Sequence, residues 1–179
     1  MENRKFIIDT DIGDDIDDAF AIYLAMKRKV NLIGVTTVYQ NTDERSRMAK
    51  KLLKCFGRGY ENVPVYTGYG QTLENSIKKF RHIVQYTPEL ERPEYIPDEE
   101  EPERAIDFLV ESAKKYGEDL TIVAISPLTN IARAIQKCPT AFQKCKVVMM
   151  CGAYFRQYAD WNIICDTLAA DIVFRNIPQ

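Results

Sequence analysis

Only one histidine occurs in the sequence, its five cysteines show no CxxC spacing, and no apolar run approaches membrane-spanning length. Each scarcity excludes something. Cysteines odd in number and without paired spacing give neither a disulfide framework nor a zinc site, so a reducing, cytoplasmic setting is expected. The polar start "MENRKFIID" passes directly into a strand-like run without the apolar core of a signal peptide. A formal net charge of −2, with Lys and Arg scattered rather than striped, argues against a nucleic-acid or membrane surface. The expected partner is a neutral small molecule. With 179 residues, 46% of them hydrophobic and 28% charged, the chain suffices for one globular domain, taken as residues 1–179.

What is present is an alternation. Short β-rich runs, "KFIID", "VNLIGVTTV", "VPVYTG", "LTIVAIS" and "KVVMMCG", each stand beside a stretch of helical spacing or a polar loop. Apolar strands alternating with helices predict an α/β fold, an open and mostly parallel sheet with flanking helices. Ala19, Ile22, Tyr23 and Met26 fall at i, i+3, i+4 and i+7, one face of a helix packed on that sheet. "NTDERSRMAKKLLKCFG" reads as a further helix, with Thr42 or Asp43 as N-cap and Gly57 as its stop. The interval 72–102, containing "YTPELERPEYIPDEEEP", combines proline with acids and lacks periodicity, which predicts a loop or lid. Helix resumes at Pro102, a favourable first-turn residue.

The segment "FIIDTDIGDDIDDAFAI" places six aspartates within ten positions directly behind an apolar run. Charges so close repel one another. In a strand-loop-helix reading, Asp9 and Asp11 stand at the carboxyl end of the first strand and Asp17 and Asp18 in the first turn of the next helix. Open parallel sheets bind ligands at that end. The helix dipole offsets the repulsion by only about 0.3–1 kcal/mol per first-turn carboxylate, so the cluster calls for a cation or for protonation. Oxygen donors without His or Cys nearby favour a hard ion, Ca²⁺ or Mg²⁺. An EF-hand is excluded: counted from Asp9, the sixth position is Asp14 rather than Gly and the twelfth is Phe20 rather than Glu. A solvated helix start with surplus acids is the alternative, and it accounts poorly for six of them behind a buried strand.

"DTDIGDDIDDAFAI" resembles the N-terminal signature of the inosine-uridine-preferring nucleoside hydrolase family, Asp-x-Asp-Pro-Gly-x-Asp-Asp followed by a helix of small residues. Further matches keep the family's order. "GVTTVYQN" resembles the second-strand segment that ends in a substrate-binding asparagine, and "IVAISPLTNIA" is similar to the Leu-Thr-Asn-Ile-Ala turn. "VVMMCGAY" is similar to the Met-Gly-Gly strand end, and "ADWNIICDTLAADIVF" to the Glu-Phe-Asn-Ile…Asp-Pro-Glu-Ala-Ala segment. The resemblance implies an open α/β fold, a Ca²⁺ that binds a water and the ribose hydroxyls, and hydrolysis of the N-ribosidic bond of nucleosides, as in purine or pyrimidine salvage. Carried over by position, it implies Asp11 as general base and metal ligand, Asp18 as a second ligand, and Ile125 as a ligand through its backbone carbonyl. It further implies that Asp17, Asn41, Asp160 and Asn162 hold the ribose and that Met150 lines its pocket. Asn41 also suits a helix cap, and Asn130 is expected to bond backbone within its turn. His82 lies near where the family often has a His-Gly loop, although "FRHIVQYTPEL" lacks the glycines.

The chain departs from that pattern in three places. Between Gly13 and the Asp-Asp-Ala at 17–19 it has two more residues than the signature, with Ile12 in place of proline. Keeping the apolar face of "AFAIYLA" makes Asp17 and Asp18 the functional pair and leaves Asp14 facing water; counting from Asp11 would choose Asp14 and Asp15. Asp160 and Trp161 replace the family's Glu and Phe. The family continues beyond "AADIVFRNIPQ", including a further metal-binding Asp, so a fragment, a truncated product, or a protomer whose exposed edge is covered by a homo-oligomer or partner is expected. Such a chain is expected to hydrolyse nucleosides very poorly or not at all. Two other classes remain open: a non-catalytic metal-binding or interaction protein of the same fold, and a haloacid dehalogenase-type phosphatase, for which "FIIDTDIG" fits but the Thr-Asn and Trp-Asn segments would be idle.

Overall fold

The computed structural model describes residues 4–74, 77–155 and 158–177. Its elements run β1 (Lys5–Thr10), α1 (Asp17–Lys27), β2 (Leu32–Thr37), α2 (Thr42–Phe56), β3 (Val65–Thr67), α3 (Pro102–Tyr116), β4 (Leu120–Ala124), α4 (Thr129–Lys137), β5 (Lys146–Met149), α5 (Trp161–Cys165) and α6 (Thr167–Asn176). The strands pair in parallel throughout, in the order β3-β2-β1-β4-β5. The expected α/β fold with an open parallel sheet is the fold observed. Every residue of β1 from Ile7 to Thr10 is buried, as a central strand covered on both faces requires. The chain winds outward from β1 first through β2 and β3 and later through β4 and β5. The carboxyl ends of β1 and β4 therefore flank a switch point, where such sheets open a crevice.

Helices cover the two faces unequally. On one face α3, α4 and α6 pack over Ile7, Ile122 and Ala124 with Leu109, Ile131, Ile135 and Val173. On the other, α1 and α2 cover Ile8, Val35 and Val65 through Ile22, Met26, Ala49 and Leu53. The buried residues of α1 are Asp18, Ile22 and Met26, an i, i+4, i+8 stripe whose first member is an acid at the crevice. Tyr23, expected on that stripe, is 43% exposed and meets Phe56 edge to face at its margin. The N-cap position of α2 is Asn41, the alternative cap, rather than Thr42 or Asp43; its side chain makes no capping hydrogen bond, and Gly57 at φ 64° ends the helix. The proline- and acid-rich loop is packed rather than free: Leu90 and Tyr95 are buried, and Asp98 pairs with Lys50 at 2.5 Å while accepting from the Val65 amide. Among the described residues no helix is long and apolar enough to cross a membrane.

Candidate functional site

The floor of the crevice is a buried polar knot. Asp9 is fully buried and accepts from the Thr36 hydroxyl at 2.5 Å, Asn130 Nδ2 at 2.8 Å and the Ser126 hydroxyl at 3.3 Å. Burial pushes its carboxyl up to about 6 against those hydrogen bonds. Asn130 bonds backbone, but of distant segments rather than of its own turn as expected: Nδ2 also donates to the Thr37 carbonyl at 2.9 Å and Oδ1 accepts from the Tyr69 amide at 3.0 Å. Gly68 permits that approach, because a Cβ there would lie 2.4 Å from Asn130 Nδ2.

Above this floor lies a cleft of about 430 Å³. Asp11, Asp17 and Asp18 form one wall, Ile125 stands at the end of β4, and Met150, Asp160 and Asn162 form the opposite wall. Asp14, Asp15, Arg81, Val84 and Trp161 complete the lining. Asp18 is 6% exposed and accepts from the Thr10 hydroxyl. Burial, reinforced by the Asp18 charge, pushes Asp11 up to about 7; burial, reinforced by Asp17, pushes Asp18 up to about 6 against the Thr10 bond. Asn162 Nδ2 donates to the Met150 carbonyl at 2.9 Å and reaches the Ile125 carbonyl at 3.5 Å. Asp160 is the N-cap of α5 and accepts from the Ile163 amide at 3.4 Å. Asn41 stands outside this lining, and so does His82, which pairs instead with the buried Glu44.

Asp14 does not face water, contrary to the expectation from the helix register. Its Oδ2 accepts from Arg45 Nη2 at 2.9 Å and from Arg81 Nη2 at 3.3 Å, and its Oδ1 from the Val84 amide at 3.0 Å. Burial raises its pKa, but these bonds and the two guanidinium charges outweigh that and hold it below the usual range. The physical reason is Arg45, only 1% exposed, which needs a counter-charge inside the protein. Sequence reading missed Arg45, Arg81 and Val84. Arg45 did leave a signal: with Ala49 and Leu53 it continues the i, i+4, i+8 buried stripe of α2, an arginine in the phase of the core.

No three His, Cys, Asp or Glu side chains among the described residues converge so as to hold an ion by themselves. Asp11 and Asp18 do interact, and burial, reinforced by neighbouring carboxylates, raises both carboxyls well above the usual range. With the Ile125 carbonyl at the cleft they offer only hard oxygen donors. That set fits part of the shell of a hard divalent cation, the rest falling to solvent or substrate oxygens.

Residues 6–179 match the family described as inosine-uridine preferring nucleoside hydrolase, and the chain belongs to that family. It is 34% identical over 184 residues to uridine nucleosidase 1 of Arabidopsis thaliana, an alignment covering 97% of this chain and 54% of that protein. To the pyrimidine-specific ribonucleoside hydrolase RihB of Escherichia coli (strain K12 / DH10B) it is 34% identical over 182 residues, covering 97% of this chain and 57% of that one. Among solved structures, the purine-preferring ribonucleoside hydrolase from Gardnerella vaginalis matches with a TM-score of 0.74 at 30% identity, covering 98% of this chain and 59% of that one. The chain thus spans somewhat more than half the length of these relatives.

Proposed function

We propose that the cleft hydrolyses the N-ribosidic bond of nucleosides, giving free base and ribose, in a cytoplasmic salvage setting. What supports this reading is the meeting of Asp11, Asp18 and Ile125 with Met150, Asp160 and Asn162 in one cleft at the switch point of the sheet, in a chain of this family. Relatives named for purine and for pyrimidine substrates both match. The shared ribose is therefore the part of the substrate we assign to these residues.

In this proposal Asp11, Asp18 and the Ile125 carbonyl hold Ca²⁺, which when bound supplies the positive charge that eases deprotonation of a water and neutralises the paired acids. Asp11 accepts the proton of the attacking water as general base. Asp17, Asp160 and Asn162 bind the ribose hydroxyls, with Met150 against the sugar; Asn41 joins them through the family pattern alone. The surrounding carboxylates stabilise the positive charge that develops on the sugar as the base departs. Asn162, held to the Met150 carbonyl, is oriented before substrate arrives.

Calcium calorimetry and ribose release from inosine and uridine test this. Wild-type chain is expected to give a binding heat and at most slow ribose release, and Asp11→Ala to abolish both. An unchanged isotherm in Asp11→Ala removes the metal site. Binding without ribose release assigns the chain to the non-catalytic class.

A further inference from the structure

The aspartate loop is gripped from outside the cleft by a buried arginine. Arg45 Nε donates to the Tyr39 carbonyl at 2.8 Å, and Nη1 donates to the Asp11 carbonyl and, at 2.9 Å, to the Ile12 carbonyl. One side chain therefore ties the loop carrying Asp11 to the turn after β2, where Tyr39 and Gln40 adopt positive φ of 72° and 59°. Its remaining nitrogen meets Asp14, which lies within the stretch that exceeds the family signature.

A strap from a distant part of the chain, residues 81–85, closes over the same loop. The Gln85 amide donates to the Gly13 carbonyl at 2.8 Å, and the Val84 amide donates to Asp14 at 3.0 Å. Glu44, 5% exposed, accepts from the Ile83 amide at 2.9 Å and pairs with His82. Ile83 is 3% exposed and packs where a Gly13 side chain would otherwise stand. Consecutive strap amides are thus fixed by two carboxylates whose neighbours hold Asp11.

We infer that Arg45 is a positioning residue for Asp11, and that Asp14 completes a clasp joining Arg45, the aspartate loop and the strap into one unit. The inference rests on the reading of Asp11 as a metal-binding base. Arg45 never touches substrate in this arrangement. Its guanidinium fixes the two carbonyls that directly follow the Asp11 side chain, and Asp14 keeps that guanidinium oriented. The extra length of the loop is what lets Asp14 reach it while Asp17 and Asp18 keep their places on α1.

The test uses the full chain with Arg45→Lys and Asp14→Asn, beside Asp43→Asn as an exposed control that pairs with Arg47. Lysine keeps the charge but cannot donate in several fixed directions at once, and asparagine keeps the size of Asp14 without its charge. Calcium calorimetry is expected to show a Kd weakened by roughly 10- to 100-fold in each variant and unchanged in Asp43→Asn. Amide exchange of the metal-free proteins is expected to show Ile12, Val84 and Gln85 losing protection together. A variant that melts earlier yet binds calcium like wild type once folded makes Arg45 merely structural and overturns the inference. Should the wild type itself bind no calcium, the Asp11 reading fails separately. Exchange then decides the clasp: joint loss of protection in Asp14→Asn upholds it, and unchanged protection overturns it.

Discussion

On the wall of the cleft built from the β1–α1 loop, the Thr10 hydroxyl holds Asp18, Arg45 holds the carbonyls of Asp11 and Ile12, and Asn130 reaches Asp9 beneath them. On the wall built after β5, Met150 is 45% exposed and Trp161 62%. The first wall is fixed by bonds that cross between strand ends. The second is held by the Met150 amide bond to the Ala124 carbonyl at 2.8 Å, the Asn162 bond to the Met150 carbonyl and the Asp160 cap, and carries more exposed side chains. Groups that meet developing charge gain from being fixed in advance, whereas apolar surfaces that receive a variable ring tolerate adjustment. Under the proposed function the contrast fits a site in which the acids that hold the cation and take the proton stand on the rigid wall, while the second wall reaches the sugar through Asp160 and Asn162 and leaves the exposed Trp161 ring to meet differing bases.

The largest effect is expected at the root of the rigid wall. Asn130→Ala strips a donor from the buried Asp9 carboxylate and the Thr37 carbonyl and an acceptor from the Tyr69 amide. Leaving the Thr37 carbonyl and the Tyr69 amide without this partner, and the Asp9 carboxylate with only the Thr36 and Ser126 hydroxyls, should cost about 3–5 kcal/mol, read as a lower midpoint in urea unfolding. A loss below about 1 kcal/mol would mean that the knot is loosely held and that the two walls do not differ as described.

A smaller effect is expected where the strap meets the loop. Gly13 has φ +121°, and a Cβ there would come within 2.6 Å of Ile83 Cδ1. Gly13→Ala should therefore destabilise by about 1–3 kcal/mol through backbone strain and displacement of Ile83. Amide exchange should locate the damage: the Gln85 amide, bonded to the Gly13 carbonyl, should lose protection before the β4 amides do. Uniform loss across the sheet would show that the strap is not a separate unit.

How much of this was legible in the sequence differs between the same regions. The sheet and its helices were readable because buried parallel strands leave continuous apolar runs and amphipathic helices leave a period. Asp18 was readable for the same reason, since it begins the stripe that continues through Ile22 and Met26. Tyr23 was misplaced because spacing alone does not fix how wide a buried stripe is. The clasp left no periodic trace: Arg81 and Asp14 meet across 67 positions, and the strap is caught by its backbone amides, which every residue but proline carries. His82 drew notice as the lone histidine, yet its partner is Glu44, a charge buried in the first turn of α2. Arg45 was legible in principle, as a charged residue in an apolar phase, and the solvent-facing reading of Asp14 failed because that charge had been left out of account.

The smallest effect on stability, and the sharpest test of the comparison, belongs to the adaptable wall. Trp161 begins α5 and lines the cleft, but with 62% of its surface exposed it adds little to the folded core. Trp161→Ala should change unfolding stability by no more than about 0.5 kcal/mol, because it breaks none of the bonds that hold the floor or the aspartate loop. Its effect should fall on substrate binding instead. An exposed ring at the cleft covers apolar surface of whatever ring enters, so KM for inosine and uridine should rise by different factors while the calcium isotherm stays as in wild type. If Trp161→Ala instead weakened calcium binding as strongly as the loss of Asp14 is expected to, the walls would be coupled through Asp160 and Asn162. The division between a rigid wall of fixed acids and a more adaptable wall after β5 would then have to be abandoned.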